Sequence, residues 1–257
     1  MNRLRALATL LCVVALSSCD KNAIQTIAGP PPGSARIKFF NFGVNAPGVN
    51  FYADATKMTA TTSATGVEST TGVAYGAVGS GGFYSSIAPG TYTLTGKIAA
   101  TVDKDLVIAS TSGVIADGKN YSYYMSGFYN TVAKTSDGFL VEDPFIADID
   151  YTVAYVRFVH AIANANPMTL YATENTTAAV VTVGAEQAYK GAGAFVTVPA
   201  GVYNLGLRYA GVGTNAVSRT LVSFSAGRVY TISARGDITV VSTTATNRPF
   251  MDVTANR

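Results

Sequence analysis

Few side chains here could carry chemistry. They are a single histidine, His160, two cysteines, Cys12 and Cys19, and four closely spaced carboxylates, Glu142, Asp143, Asp148 and Asp150. An imidazole works as a general base only with a nucleophile or carboxylate positioned beside it. The chain has no G-x-S-x-G elbow and no second histidine that could share a zinc ion with His160. The surrounding residues, VRFVHAIANANPMTLYA, put the ring at a strand end, within reach of the backbone of the loop Ala161–Pro167. An earlier stretch places an amide, Asn41, at the same point, and an amide offers one donor and one acceptor much as a neutral imidazole does. His160 and Asn41 are therefore the candidate ligand contacts, and a structural hydrogen-bonding role is the favoured reading of both. No catalytic set is legible, so the chain reads as a non-enzyme without cofactor or metal.

The remaining polar candidates read as structure. The carboxylates in Glu142–Tyr151, EDPFIADIDY, could hold Ca²⁺ between two domains, but they lack the glycine and ligand spacing of a calcium loop. A solvated acidic linker is the expectation. Gly211-Val212-Gly213-Thr214-Asn215-Ala216 fits a lax phosphate-binding pattern. No helix follows whose N-terminus could hold a phosphate, so it reads as a hairpin loop. Tyr121, Tyr123, Tyr124, Phe128 and Tyr129 could form a platform for sugar rings. Tyr121 and Tyr123 share one face of a strand and Tyr124 takes the other, so at least some belong to a core.

Cys12 and Cys19 both fall at the N-terminus, which leaves the rest of the chain without a disulfide or thiol nucleophile. Residues 1–18 combine Arg3 and Arg5, the apolar run Leu7–Leu16 and small residues, the layout of an export signal. Leu16-Ser17-Ser18-Cys19 is similar to a bacterial lipobox, which implies that Cys19 is acylated and becomes the mature N-terminus. Acyl chains hold a protein on a bilayer because each buried methylene contributes about 0.8 kcal/mol. Asp20 resembles an inner-membrane retention signal, so both membranes stay open, the outer membrane being favoured. Residues 19–34 contain Pro30-Pro31-Pro32 and read as an extended tether.

The elements that must position these residues are strands. Charged residues make up only 13% of the 257, against 48% hydrophobic, with 25 glycines and a net charge of +3. That balance argues for a packed core and against nucleic acid as a partner. Short strands are expected at Ile37–Asn41, Val49–Ala53, Gly82–Ile87, Gly90–Lys97, Leu106–Thr111, Asn120–Gly127 and Phe139–Val141. A second series runs Val153–Ala161, Met168–Ala172, Val180–Val183, Ala194–Val198, Gly201–Tyr209, Arg219–Phe224, Val229–Arg235 and Thr239–Thr243, with Pro249–Val253 as a closing strand. Thr56–Thr71 is expected as a loop or frayed hairpin.

The two series repeat each other. ARIKFFNFGVNAPGVNFYAD from Ala35 aligns with AYVRFVHAIANANPMTLYAT from Ala154, pairing Lys38 with Arg157, Phe39 with Phe158 and Asn41 with His160. Gly90 and Tyr92 return as Gly201 and Tyr203, and Gly118 and Tyr121 as Gly227 and Tyr230. Internal repetition of this length marks a duplicated domain. The expected fold is all-β: two tandem antiparallel β-sandwich domains, immunoglobulin/transthyretin-like, after a lipoprotein signal peptide. Their boundaries are 35–143 and 153–257, with the linker at 144–152.

These segments resemble the bacterial domain of unknown function 4397. The second copy matches at Arg157, Phe158, His160, Ala161, Tyr171, Gly201, Tyr203, Gly227, Tyr230 and Thr231. The first departs with Asn41 in place of the histidine, and both carry Asn (45 and 164) where the family often has Asp. The resemblance covers Ala35 to about Arg257 and implies secreted or lipid-anchored β-sandwich domains with no agreed activity. The expectation is a membrane-anchored lipoprotein of the cell envelope, a binding or structural module held to the bilayer by acylated Cys19. Its partner would be a cell-surface glycan or an envelope protein. A carbohydrate-active accessory or a hydrolase is the alternative.

Overall fold

The computed structural model describes residues 34–256. The expected signal segment, Cys19, Asp20 and the tether through Gly33 lie outside the described residues. The first half holds β1 (Ala35–Asn41), β2 (Val49–Ala53), β3 (Thr56–Lys57), β4 (Ala77–Val78), β5 (Ser85–Ile87), β6 (Gly90–Ile98), β7 (Val107–Ile115), β8 (Asn120–Asn130) and β9 (Thr135–Glu142). The second holds β10 (Val153–His160), β11 (Met168–Glu174), β12 (Val180–Gln187), β13 (Val196–Pro199), β14 (Gly201–Tyr209), β15 (Val217–Phe224), β16 (Val229–Arg235) and β17 (Phe250–Ala255). The described residues contain no α-helix, and the all-β expectation stands.

Each half pairs two sheets in the same order. In the first, β3-β2-β6-β7 faces β4-β1-β8-β9, with β5 also paired to β1, and in the second β12-β11-β14-β15 faces β13-β10-β16-β17. Pairing is antiparallel with one exception per half: β1 runs parallel to β8, and β10 to β16. The first and second-last strands of each half are thus central neighbours, which needs a long connection rather than a hairpin. Two glycines with matching left-handed φ, Gly118 (+68°) and Gly227 (+71°), make the turns that lead into β8 and β16. Just beyond them the Tyr121 and Tyr230 hydroxyls accept the Ala116 and Ser225 N–H groups, each at 3.1 Å, and fasten the turns.

Period-two alternation fills two cores. Ile37 and Phe39 of β1 pack with Phe51, Leu94, Ile108, Tyr123 and Met125; Val156 and Phe158 of β10 pack with Leu170, Leu205, Phe224 and Ile232. Each such side chain contributes about 1.5–3 kcal/mol on burial. The opposite faces of β1, β8, β10 and β16 are covered as well, because these two sheets lie against each other. A third apolar cluster between them joins Phe40, Phe42, Tyr124 and Phe139 of the first half to Val159 and Ala161 of the second. The sheets therefore stack four deep, and the two halves form one compact unit.

Two expectations need correction. Thr239–Thr243 is not a strand. Asp237 accepts the Thr239 N–H (3.0 Å) and hydroxyl (2.7 Å), and such local side-chain bonds favour a turn over a ladder. The strand closing the second half is β17, paired with β16. Asp143 is not solvated either. It follows β9 directly and is buried, whereas Glu142, Asp148 and Asp150 around it are exposed.

Candidate functional site

His160 and Asn41 end β10 and β1 and are both fully buried. His160 Nδ1 accepts the Ile162 N–H at 3.2 Å, so the ring proton sits on Nε2, 3.3 Å from the Asn166 carbonyl. Asn41 repeats the arrangement: its Oδ1 accepts the Gly43 N–H (3.2 Å), and its Nδ2 donates to the Pro47 and Val73 carbonyls at 3.3 and 2.8 Å. Each residue thus pins the loop after its strand. Burial holds the imidazole below its ordinary pKa of 6.5, outweighing the opposing bond to Asn166, and keeps it neutral.

The polar centre of the molecule is elsewhere, between the inner sheets. On β1 and β10 the side chains pointing away from the cores include Lys38 and Arg157, and each is only 1% exposed. Arg157 Nη2 forms an ion pair with Asp143 Oδ1; its Nε reaches Thr231 Oγ1 at 3.0 Å and its Nη1 the Glu142 carbonyl at 2.9 Å. Its guanidinium also lies over the Phe195 ring at 4.9 Å. The other oxygen of Asp143 accepts the Ser122 and Tyr84 hydroxyls, both at 2.7 Å. The first half thus supplies the carboxylate for the second half's arginine. Sequence reasoning missed this cluster because a charged residue on the outward face of a strand normally meets water.

Lys38 has less. Its Nζ donates to Asn256 Oδ1 at 3.2 Å and sits 4.2 Å from the centre of the Tyr84 ring. Burial pulls its pKa from 10.5 to about 8; Asp143 works against that fall and Arg157 adds to it. Burial, with Asp143 alongside, pushes the Tyr84 phenol well above the ordinary range and keeps its proton in place. Lys38, Tyr84 and Asn256 line a cleft of about 440 Å³, walled by Val78, Gly81, Gly82 and Phe83 on one side and by Arg228 and Val253–Ala255 on the other.

Other candidates are spent on structure. Tyr121, Tyr123 and Tyr124 are buried, so no aromatic platform forms on β8. Glu142 pairs with Lys119, and Asp150 accepts the N–H and hydroxyl of Thr152. Among the described residues no three His, Cys, Asp or Glu side chains gather as a metal site would require. Gly211–Ala216 is the loop between β14 and β15. A second hollow, about 620 Å³, holds Arg219 and Arg248 beside Phe250. Those guanidiniums stack on the ring at 5.1 and 5.2 Å while donating to the Met251 and Ala245 carbonyls.

Residues 154–256 match a domain of unknown function, DUF4397. The DUF4397 stretch contains Arg157, His160, Arg228 and Asn256, whereas Lys38, Tyr84 and Asp143 precede it. No curated protein matches the chain. The solved structure of the Bacillus anthracis TIE protein is similar over 79% of this chain and 34% of its own, at 13% identity and a TM-score of 0.23. This chain spans about a third of that protein's length, and so distant a likeness says nothing further about fold or activity.

The clip geometry within the DUF4397 stretch predicts graded effects at His160. His160→Asn keeps a donor and an acceptor and is expected to cost under about 1 kcal/mol, whereas His160→Leu strands the Ile162 N–H and costs about 1–3 kcal/mol. Because the folded-state pKa lies below the unfolded value, stability falls as pH drops below about 6.5, where only the unfolded chain takes up the proton. His160→Asn removes this contribution. Urea unfolding of the three proteins between pH 5 and 8 checks both points; equal costs for Asn and Leu would refute the clip.

Proposed function

We propose that this chain is a lipid-anchored protein of the bacterial cell envelope, built from two diverged copies of the DUF4397 domain and acting as a non-enzymatic binding or structural module. One observation carries the reading. The side chains sequence offers for catalysis are tied to their own loops, while the two halves share a buried polar cluster that opens into a cleft at their joint. The matching order of the main strands in the two halves supports the duplication. The lipobox supports a bilayer anchor at Cys19, in the outer membrane by preference, with Asp20 as the argument for the inner one. A cell-surface glycan or an envelope protein is the partner class.

Cys19→Ser is the direct test of the anchor. Metabolic labelling with a fatty acid should mark the wild-type protein and not the variant, which should accumulate as uncleaved precursor. Labelling that survives the substitution ends the lipoprotein reading. Membrane fractionation of the wild type then distinguishes outer from inner membrane.

A further inference from the structure

We propose that the cleft over Lys38 is a binding site for a ligand carrying a carboxylate beside a ring or short chain. An ammonium has three N–H donors, and buried charges are ordinarily paired. Lys38 Nζ meets one acceptor, Asn256 Oδ1, and one aromatic face. Among the described residues, Asp143 is the carboxylate whose charge opposes the lowering of its pKa. That group is already engaged by Arg157, Ser122 and Tyr84. Two buried cations therefore share one anion, leaving a net positive charge at the base of an open hollow. Arg228 adds a second cation at the rim; it is exposed and takes part in none of the ion pairs found among the described residues.

The remaining walls suit the rest of such a ligand. Phe83 is 77% exposed at the lip, next to Val78. Gly81 and Gly82 contribute backbone alone to the lining. A hollow of about 440 Å³ is in the range that accepts one sugar or one amino-acid residue. A hexuronate unit of a glycan and a free peptide carboxylate both have this chemistry. Bound in the cleft, the carboxylate supplies the missing partner of Lys38 and reaches Arg228 at the rim, while the Phe83 ring covers the apolar part.

The test uses the full-length acylated protein in detergent, titrated calorimetrically with galacturonate, N-acetylalanine and, as neutral control, galactose. At pH 7 at least one of the two acids should bind and galactose should not; whichever acid binds more tightly identifies the source. Binding should weaken at least tenfold by pH 9.5 as Lys38, whose pKa burial lowers to about 8, loses its proton; the charged groups around it are Asp143, Arg157 and Arg228, and the Tyr84 phenol, held above its ordinary range, stays neutral. Lys38→Met should bind at least tenfold more weakly while melting no lower than wild type, because it removes an under-paired buried charge. Arg228→Ala, on the exposed rim, should weaken binding several-fold without altering the melt. No binding by either acid, or undiminished binding by Lys38→Met, overturns the proposal. The inference rests on the binding-module reading. That reading's anchor is tested separately at Cys19, so failure here leaves the envelope assignment standing.

Discussion

Replacing Asp143 by alanine is expected to destabilise the protein by about 3–5 kcal/mol, the cost of stripping one partner from a buried ion pair. The carboxylate is buried and satisfies donors from three elements: Arg157 on β10, Ser122 on β8 and Tyr84 before β5. Without it, Arg157 and Lys38 remain as buried cations with no counter-charge, the Ser122 hydroxyl loses its acceptor, and Tyr84 keeps only the longer bond to Asn256 Oδ1 at 3.4 Å. The cost should shrink when the cations are removed as well. A Lys38→Met, Arg157→Met, Asp143→Leu triple variant is expected to be near wild type or more stable, since apolar replacement of a buried charge cluster is often neutral or favourable. Urea melts of the single and triple variants decide this. A single Asp143→Ala variant within about 1 kcal/mol of wild type would show that water reaches the cluster and solvates the stranded cations.

Tyr124→Ala should be nearly as severe, at about 3–5 kcal/mol. The ring lies parallel to Phe40 (4.5 Å, 11°) and to Phe139 (5.1 Å, 16°), and its hydroxyl meets Ser233 Oγ of the other half at 3.2 Å. Tyr124→Phe keeps the stack and should cost about 1 kcal/mol for the lost hydrogen bond. The alanine variant has a second expected signature. Each half retains its own apolar core when the cluster between them is weakened. The single unfolding transition expected of the intact protein should therefore split into two in Tyr124→Ala. The chain has no tryptophan, so tyrosine fluorescence and near-ultraviolet circular dichroism are the probes. One unshifted transition in Tyr124→Ala would mean that the interface adds little to the fold.

Much of this molecule is legible in local pattern. Most strand positions follow from period-two alternation and the Gly and Pro punctuation, and aligning Ala35–Asp54 with Ala154–Thr173 sets Lys38 against Arg157 and Asn41 against His160. The loop-pinning role of His160 was equally readable, because Asn41 shows which property of the imidazole the site uses. A further signal was present and easy to overlook. IKFFNF, YVRFVH and YSYYMS barely alternate, as strands buried on both faces do not.

What sequence could not supply is where the outward faces of β1 and β10 go. A lysine or arginine on the second face of a strand is solvated if that face meets water, and the residue types are identical in either case. Only the stacking of one inner sheet on the other buries Lys38 and Arg157 and turns Asp143 inward from an otherwise exposed acidic stretch. Local pattern thus determined most of the strands and the clips at their ends, since those depend on neighbours along the chain. The charge cluster and the cleft above it were decided by the tertiary structure, since they require residues 38, 84, 143, 157 and 256 to share one place from which water has been excluded.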